Sequence, residues 1–99
     1  MKIYLDDRRP LPEPGSGWVG VRTYDACVAV LGAAKATCDE VSLDFMLGGD
    51  HNGLDVLIFM NEKDIRPAVI RIHSSHWFGR RRMREYAERM FPASEVIMD

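Results

Sequence analysis

The sequence begins, after Met1, with the stretch Lys2-Ile3-Tyr4-Leu5-Asp6-Asp7, in which a short apolar run stops abruptly at two carboxylates. A run of this length and composition is typical of a buried strand that ends at the edge of a sheet. The pattern returns at 40–45, where a second such run, Glu40 to Phe45, closes on Asp44. Two strands that end in the same chemistry indicate that their acidic side chains meet at one edge of a sheet.

Along the rest of the chain, strand patterns alternate with helix patterns. Residues 8–17 hold three prolines and two glycines, which excludes a helix and predicts a stiff loop. Three further strands are predicted at Trp18–Arg22, Ala68–His73 and Glu95–Met98. Three helices are predicted: one from the N-cap Thr23 to near Lys35, one that begins after the N-cap Asn52, and one at Gly79–Phe91. Strands that alternate with helices predict an α/β fold, a parallel sheet covered on both faces.

Length and composition limit the classes of protein that remain. The 99 residues make one domain, 1–99, and 46% apolar residues can build a core. The net charge of the whole chain is -2, which argues against a protein that binds duplex DNA or a membrane surface through its overall charge. The apolar run after Met1 is too short for a signal peptide or a membrane span, so we expect a soluble, cytoplasmic protein. Cys27 lies in an apolar helical stripe and is expected to be a buried, reduced thiol.

The acids at the strand ends are the first candidate for chemistry. Ligands of parallel sheets gather beyond the carboxyl ends of the strands, where Asp6, Asp7 and Asp44 are predicted to lie. Three carboxylates in one cleft repel each other, so one takes up a proton or a cation sits between them. Oxygen ligands suit Mg²⁺. The alternative is that these residues only cap turns or are solvated.

His73, Ser74 and the arginines Arg8 and Arg80 complete the candidate site. His73 ends a predicted strand, where it is either a structural, hydrogen-bonded residue or a proton donor beside the acids. Ser74 can contact a phosphoryl oxygen or satisfy the loop backbone. Arg80 begins an arginine-rich helix, where cations are disfavoured by the helix dipole, so it either binds an anion or belongs to a solvated, ion-paired face. Arg8 follows the aspartates and can lie on the same rim.

Four motifs together resemble the cyclic-phosphate processing receiver-like domains, a divergent branch of the response-regulator receiver fold. They are Leu5-Asp6-Asp7-Arg8-Arg9-Pro10, Ser42-Leu43-Asp44, Gly53-Leu54-Asp55-Val56-Leu57 and Ile72-His73-Ser74. The resemblance implies a small three-layer flavodoxin-like fold with a five-stranded parallel sheet in the order 2-1-3-4-5. It also implies that Asp6 and Asp7 are metal-side acids, that Asp44 matches the phosphoacceptor, and that Ser74 matches the hydroxyl that contacts the phosphoryl group.

The chain also departs from that pattern. The proline-rich loop stands where a receiver has its first helix, the last receiver helix is missing, and no lysine ends the fifth strand. Met46 stands where the branch is expected to have a second acid, and His76 replaces an expected asparagine. These changes affect the predicted site, so altered chemistry is expected.

The sequence therefore supports two hypotheses of different classes. The first is a phosphoesterase that opens the cyclic phosphate of a nucleotide or an RNA end, with Asp6, Asp7 and Asp44 around Mg²⁺ or a water, and with His73 as acid or base. In it, Ser74, Arg80 and Arg8 hold the phosphate. The second is a non-catalytic receiver-like module that binds a phosphorylated ligand or a partner protein through the same pocket. A third, weaker option is that Asp44 itself forms an acyl phosphate.

Overall fold

The computed structural model describes all 99 residues and contains every predicted strand and helix. The bounds of β1 and β5 are the predicted ones, and the ends of the other elements differ from the prediction by at most two residues. The elements are β1 (Lys2–Leu5), β2 (Trp18–Val21), α1 (Tyr24–Ala34), β3 (Glu40–Leu43), α2 (Gly53–Glu62), β4 (Val69–Ile72), α3 (Trp77–Met90) and β5 (Glu95–Met98), with a single 3₁₀ turn at Lys35–Thr37 after α1. None of the helices is long and apolar enough to cross a membrane.

The five strands form one parallel sheet in the order β2-β1-β3-β4-β5, which confirms the predicted flavodoxin-like topology. Leu5, Leu43 and Ile72 are neighbours across β1, β3 and β4 at the last residue of each strand. The residues that follow them, Asp6, Asp44 and His73, therefore emerge side by side at the carboxyl edge. The register of the parallel strands thus brings Asp6 and His73, which are 67 positions apart in the sequence, into contact.

The three helices lie on one face of the sheet. Each of the connections that contain α1, α2 and α3 advances in the same direction along the sheet, and right-handed crossovers then place all three on one side. The side chains beneath them form the core, and the six central ones are fully buried: Ile3, Leu5, Val41, Leu43, Ile70 and Ile72.

The opposite face lacks the helical cover that the alternation of strands and helices predicts. Its only crossover is the proline-rich loop between β1 and β2, which cannot form a helix. Leu11 from this loop packs so closely over Gly20 that a Cβ on Gly20 would lie 2.9 Å from the Leu11 Cβ atom. Residues of the loop thus take the place of the first helix of the receiver fold, while Arg71 on β4 is partly exposed and pairs with Glu40 and Asp99.

A side chain caps the start of each of the three helices. The Thr23 hydroxyl accepts a hydrogen bond from the backbone N–H of Ala26, as predicted. Asn52 and Asp55 form a reciprocal capping box at the start of α2, also at the predicted residue. The third helix begins earlier than predicted, at Trp77 and not at Gly79, because His76 caps it through its ring nitrogen.

Gly53, the first residue of α2, touches the strand end that carries Asp44. A Cβ on Gly53 would collide with the Asp44 carbonyl oxygen and lie 2.8 Å from the Met83 Cε atom. We expect Gly53→Ala to lower the free energy of unfolding by about 2–3 kcal/mol, since overpacked sites must shift backbone or side chains. Urea unfolding of the variant measures the change.

Gly32 offers the matched control because it lies within α1 and a Cβ there would meet nothing within 4 Å. Gly32→Ala is expected to raise the free energy of unfolding by about 0.5–1 kcal/mol through helix propensity alone. Equal effects of the two substitutions would contradict the close approach of α2 to the Asp44 backbone.

Cys27 is a free, fully buried thiol in the core, as predicted. Burial, and to a smaller extent the nearby Cys38, raises the pKa of Cys27 to about 12. Because the thiolate is the reactive form, we expect Cys27 to resist a thiol reagent at pH 8 in the folded protein and to react once urea unfolds it. The measurement uses a Cys38→Ser variant so that a single thiol is counted, and fast labelling of the folded variant would contradict the prediction.

Candidate functional site

The predicted acidic cluster lies at the carboxyl edge of the sheet. Asp6, Asp7 and Asp44 each offer one carboxylate oxygen, and these oxygens lie within 4.8 Å of one another. Asp6 and Asp7 follow β1, and Asp44 follows the neighbouring strand β3. The three acids nevertheless differ in burial and in hydrogen bonding, and therefore in the chemistry available to each.

Asp6 is the buried member of the cluster, with 1% of its surface exposed. Its Oδ1 atom accepts hydrogen bonds from the backbone N–H groups of Arg8 and Arg9, both at 2.8 Å. Burial by itself raises the pKa of Asp6, but these two bonds and the contact with His73 outweigh it, and the pKa is lowered. Asp6 is thus a stable carboxylate that holds the start of the proline-rich loop.

Asp44 has the opposite electrostatic environment. Burial, together with the negative charge of Asp6, raises its pKa above the ordinary value for an aspartate. The Ser74 hydroxyl and the backbone N–H of Phe45, which lies 2.8 Å from the Asp44 Oδ1 atom, offset the increase only in part. Asp44 is therefore better suited than Asp6 to take up and release a proton.

The donor set fits a hard divalent cation. The three carboxylate oxygens lie within 4.8 Å of one another, and oxygen-only ligands are the kind that a hard cation such as Mg²⁺ prefers. Asp7 and Asp44 are only partly buried, whereas both oxygens of Asp6 already have partners. Asp7 and Asp44 would hold the ion directly, and Asp6 would add its charge from below.

His73 lies beneath the cluster, within a buried chain of hydrogen bonds. Its Nε2 atom is 3.0 Å from the Asp6 Oδ2 atom, and its Nδ1 atom is 2.8 Å from the Ser42 hydroxyl. Its ring stacks on Tyr4 with the centroids 4.6 Å apart. A neutral ring that carries its proton on Nε2 satisfies both contacts, since it donates to Asp6 and accepts from Ser42. His73 does not line the cavity above the acids, and its role as an acid or base stays a prediction.

A cavity of about 360 Å³ opens beside the acidic cluster. It is lined by Asp7, Arg8, Asp44, Met46, Gly48, Ser74, Ser75 and His76. The structure thus brings together the predicted residues Asp7, Asp44, Ser74 and Arg8 around one space. The Arg8 side chain is 91% exposed and its Nε atom lies 3.9 Å from the Asp7 Oδ2 atom, so its guanidinium is free to turn toward an anion in the cavity.

Arg80 lies outside this cavity and supports its wall. Its Nη1 atom donates to the backbone carbonyl oxygens of Ser74, at 2.9 Å, and of Asp99, at 2.6 Å. These bonds join α3 to the ends of β4 and β5 and fix the backbone of Ser74. The predicted contact of Arg80 with phosphate stays a prediction. Farther along α3, Arg81 and Arg84 form ion pairs with Glu85 and Glu88, as in the solvated alternative.

His76 is a cavity residue to which the sequence analysis gave no role. Its Nδ1 atom accepts a hydrogen bond from the backbone N–H of Gly79 at 2.9 Å, and its ring stacks on Phe45. An accepting Nδ1 requires a lone pair, so the neutral ring carries its proton on Nε2 and can donate it in a hydrogen bond to a phosphate oxygen. The signal was a polar residue three positions before Gly79, a capping distance that the predicted helix start at Gly79 concealed.

A parallel sheet in this order, with acids after β1 and β3 and a serine after β4, defines a receiver-like domain. The family described as the cyclic-phosphate processing receiver domain has a model that matches residues 1–89. The chain therefore belongs to that family, as its motifs predict. Comparisons with curated proteins and with solved structures give no match.

Proposed function

We propose that the protein is a phosphoesterase that opens the cyclic phosphate of a nucleotide or of an RNA end. One observation carries the proposal: carboxylates and anion-binding groups border the same cavity. Asp7 and Asp44 stand on one side of it, and Arg8, Ser74 and His76 supply positive charge or hydrogen-bond donors on the others. Hydrolysis of a phosphodiester needs both kinds of group within reach of one phosphorus atom.

The reaction adds one water molecule across one ester bond. The oxygen of the water bonds to phosphorus, one bond between phosphorus and a ring oxygen breaks, and a monoester with a free hydroxyl results. Asp44 is proposed to take the proton that the water loses and to pass it to the leaving oxygen, which becomes the free hydroxyl. Its raised pKa suits a group that must hold a proton between these two steps.

The donors around the cavity are proposed to bind the non-bridging oxygens. The His76 Nε2–H group is a neutral donor, and Arg8 brings the charge that a phosphodiester anion requires. The Ser74 hydroxyl donates to Asp44 in the free site, and its one proton would turn to a phosphate oxygen when the substrate binds. Ser74 is held in place because its hydroxyl oxygen accepts a hydrogen bond from the backbone N–H of His76. His73 is proposed to act through Asp6, whose carboxylate it orients.

A bound Mg²⁺ would neutralise the carboxylates and polarise a phosphoryl oxygen. Asp7 and Asp44 would hold it, with Asp6 behind them, and in that case Asp44 would be a metal ligand and not the proton acceptor. The proposal of a metal ion can fail without the proposal of hydrolysis. Met46 lines the cavity where an additional acid is expected, so fewer carboxylates are present to bind an ion.

A binding module without catalysis is the second candidate. It is favoured by the side chain of Met46, which is 53% exposed and lines the cavity where an acid is expected. In that case a phosphorylated ligand or a phosphorylated partner protein would bind beside Arg8 and Ser74 without being consumed.

³¹P NMR of a 2′,3′-cyclic nucleotide mixed with the protein tests the proposal, first with Mg²⁺ and then with a chelator. We expect the cyclic signal to be converted to a monoester signal. If the conversion stops in the presence of the chelator, the reaction requires a divalent metal ion. A cyclic signal that stays unchanged but broadens with folded protein would favour the binding module. Intact mass after incubation with acetyl phosphate excludes an acyl phosphate on Asp44 if no mass is added.

A further inference from the structure

The geometry points to a binding surface for single-stranded RNA on α3, formed by two exposed aromatic residues, one half-buried tyrosine and the neighbouring arginines, which begin beside the cavity. We call it the α3 stripe and define it as Trp77, Phe78, Arg82, Tyr86 and Arg89. The inference rests on the proposed function, because it assigns the cyclic phosphate to the end of an RNA chain and not to a free nucleotide.

Exposed aromatic residues at the start of α3 are the first observation. Trp77 is 73% exposed and Phe78 is 48% exposed, although large aromatic side chains ordinarily serve the core. Trp77 directly follows His76, which lines the cavity, and the rings of Trp77 and Phe78 are in edge contact. Exposed apolar patches of this kind mark binding sites, and flat rings beside a phosphate site suit unstacked bases.

The spacing of the stripe along the helix is the second observation. Phe78, Arg82, Tyr86 and Arg89 follow one another at intervals of four, four and three residues, which places them in one row. The Arg82 guanidinium lies 5.7 Å from the centroid of the Phe78 ring. A groove of about 230 Å³ runs beside the row and is lined by Leu54, Arg82, Glu85, Tyr86 and Arg89.

Charge indicates which polymer fits this row. The helix holds five arginines and two glutamates, within a chain whose net charge is -2. Glu85 and Glu88 pair with Arg81 and Arg84, which leaves Arg82 and Arg89 in the row without an acidic partner. Aromatic rings that alternate with unpaired guanidinium groups can stack bases and neutralise the phosphates between them. A protein partner would need an acidic and aromatic surface to match the same row.

The length of the row sets the length of the RNA. Phe78 and Arg89 are eleven positions apart, which corresponds to about 16 Å along the helix axis. The row therefore takes the last few unpaired nucleotides before the end that enters the cavity. A mononucleotide reaches the cavity but not the row, so the stripe distinguishes an RNA end from a free cyclic nucleotide.

Trp77 fluorescence measures the binding directly. A Trp18→Phe background leaves Trp77 as the single tryptophan, and the probe is a single-stranded RNA octamer that ends in a 3′-hydroxyl, so that no reaction occurs. We expect the RNA to quench Trp77 and Phe78→Ala to weaken binding by about tenfold or more. Arg82→Gln with Arg89→Gln should also lower the salt dependence, since each phosphate contact contributes about 0.7 to the slope. Lys35→Gln, which removes one charge at the C-terminal end of α1, should leave the affinity unchanged.

Turnover separates this inference from the proposed function. With an octamer that ends in a cyclic phosphate, Phe78→Ala should raise KM by about tenfold with kcat unchanged, and the opening of a cyclic mononucleotide should be unaffected. Octamer binding without turnover of any cyclic phosphate would overturn the proposed function and keep the RNA surface. Turnover of the mononucleotide without octamer binding would overturn the surface alone. An acidic peptide that quenches Trp77 as strongly as RNA, or a dimer that Trp77→Ala dissociates, would also overturn it.

Discussion

Replacing Asp44 with asparagine is expected to slow the opening of a cyclic phosphate by about 10²- to 10⁴-fold, the contribution usual for a positioned proton acceptor. The substitution keeps the size of the side chain and the oxygen that accepts the hydrogen bond from the Phe45 backbone N–H group. It removes only the ability to take up a proton and one negative charge of the cluster. The rate, measured by ³¹P NMR as kcat/KM, should therefore fall while the fold is retained. The thermal midpoint of unfolding should stay the same or rise, because the charge of Asp44 is disfavoured in the folded protein.

Asp50 provides the control for this result. It lies in the loop between β3 and α2, as Asp44 does, but it is exposed and belongs neither to the acidic cluster nor to the cavity. Asp50→Asn changes the net charge by the same amount and should leave kcat/KM within a factor of two or so. Full activity of Asp44→Asn would remove Asp44 from the reaction, whereas equal losses in both variants would indicate an effect of net charge.

Most of the fold could be predicted from local sequence patterns. The apolar runs that end in aspartates identified β1 and β3, and Thr23 and Asn52 marked the starts of α1 and α2. Apolar runs and N-cap residues are patterns of only a few neighbouring residues, so they can be recognised in a single sequence. The acidic cluster followed, because parallel strands place their ends at one edge.

The parts that could not be predicted depend on contacts between distant residues. His73 was expected beside the acids, but its partners Ser42 and Asp6 are 31 and 67 positions away, and nothing local shows that both ring nitrogens are engaged. The same holds for Arg80, which reaches the backbone of Asp99, 19 residues farther along the chain. A polar side chain has several possible partners, and only the tertiary fold decides among them.

Asp6 and Asp44 therefore carry different tasks although both follow a strand. Asp6 receives backbone donors from the loop that replaces the first receiver helix, and those bonds lower its pKa. Asp44 borders the cavity and has too few donors to offset its burial, so its pKa is raised. Environments that separate the pKa values of two neighbouring carboxylates are typical of sites where one acid supports the structure and the other carries a proton.

Replacement of Asp6 with alanine is expected to cost about 3–5 kcal/mol of the free energy of unfolding, a large part of the stability of a domain this small. The substitution leaves the backbone N–H groups of Arg8 and Arg9 and the His73 ring without their acceptor. The buried His73 ring that loses its acceptor costs about 1–3 kcal/mol, and the two part-buried backbone donors and the lost buried charge pair add the rest. Urea unfolding at pH 7 in the presence of a chelator measures the change without any contribution from a bound cation.

Asp7 is the matched control, since it is the adjacent carboxylate, accepts no backbone hydrogen bond, and has only the weak contact with Arg8. Asp7→Ala should cost less than about 1 kcal/mol, because exposed ion pairs contribute little. A similar loss in both variants would mean that the cluster as a whole, and not the hydrogen bonds of Asp6, stabilises the loop.

The pH dependence of the Asp6→Asn variant tests the same bonds by a second route. Because the pKa of Asp6 is lower in the folded protein than its ordinary value of 3.8, its charge stabilises the fold above that value. The stabilisation is lost as the pH falls through the lower, folded pKa, where the carboxylate takes up a proton. The wild type should therefore exceed Asp6→Asn by a constant amount from pH 5 to pH 7 in chelator, and this difference should shrink as the pH falls below about 4. A difference that stays constant to pH 2 would show that the charge of Asp6 is not what holds the loop, and that its shape and neutral hydrogen bonding suffice.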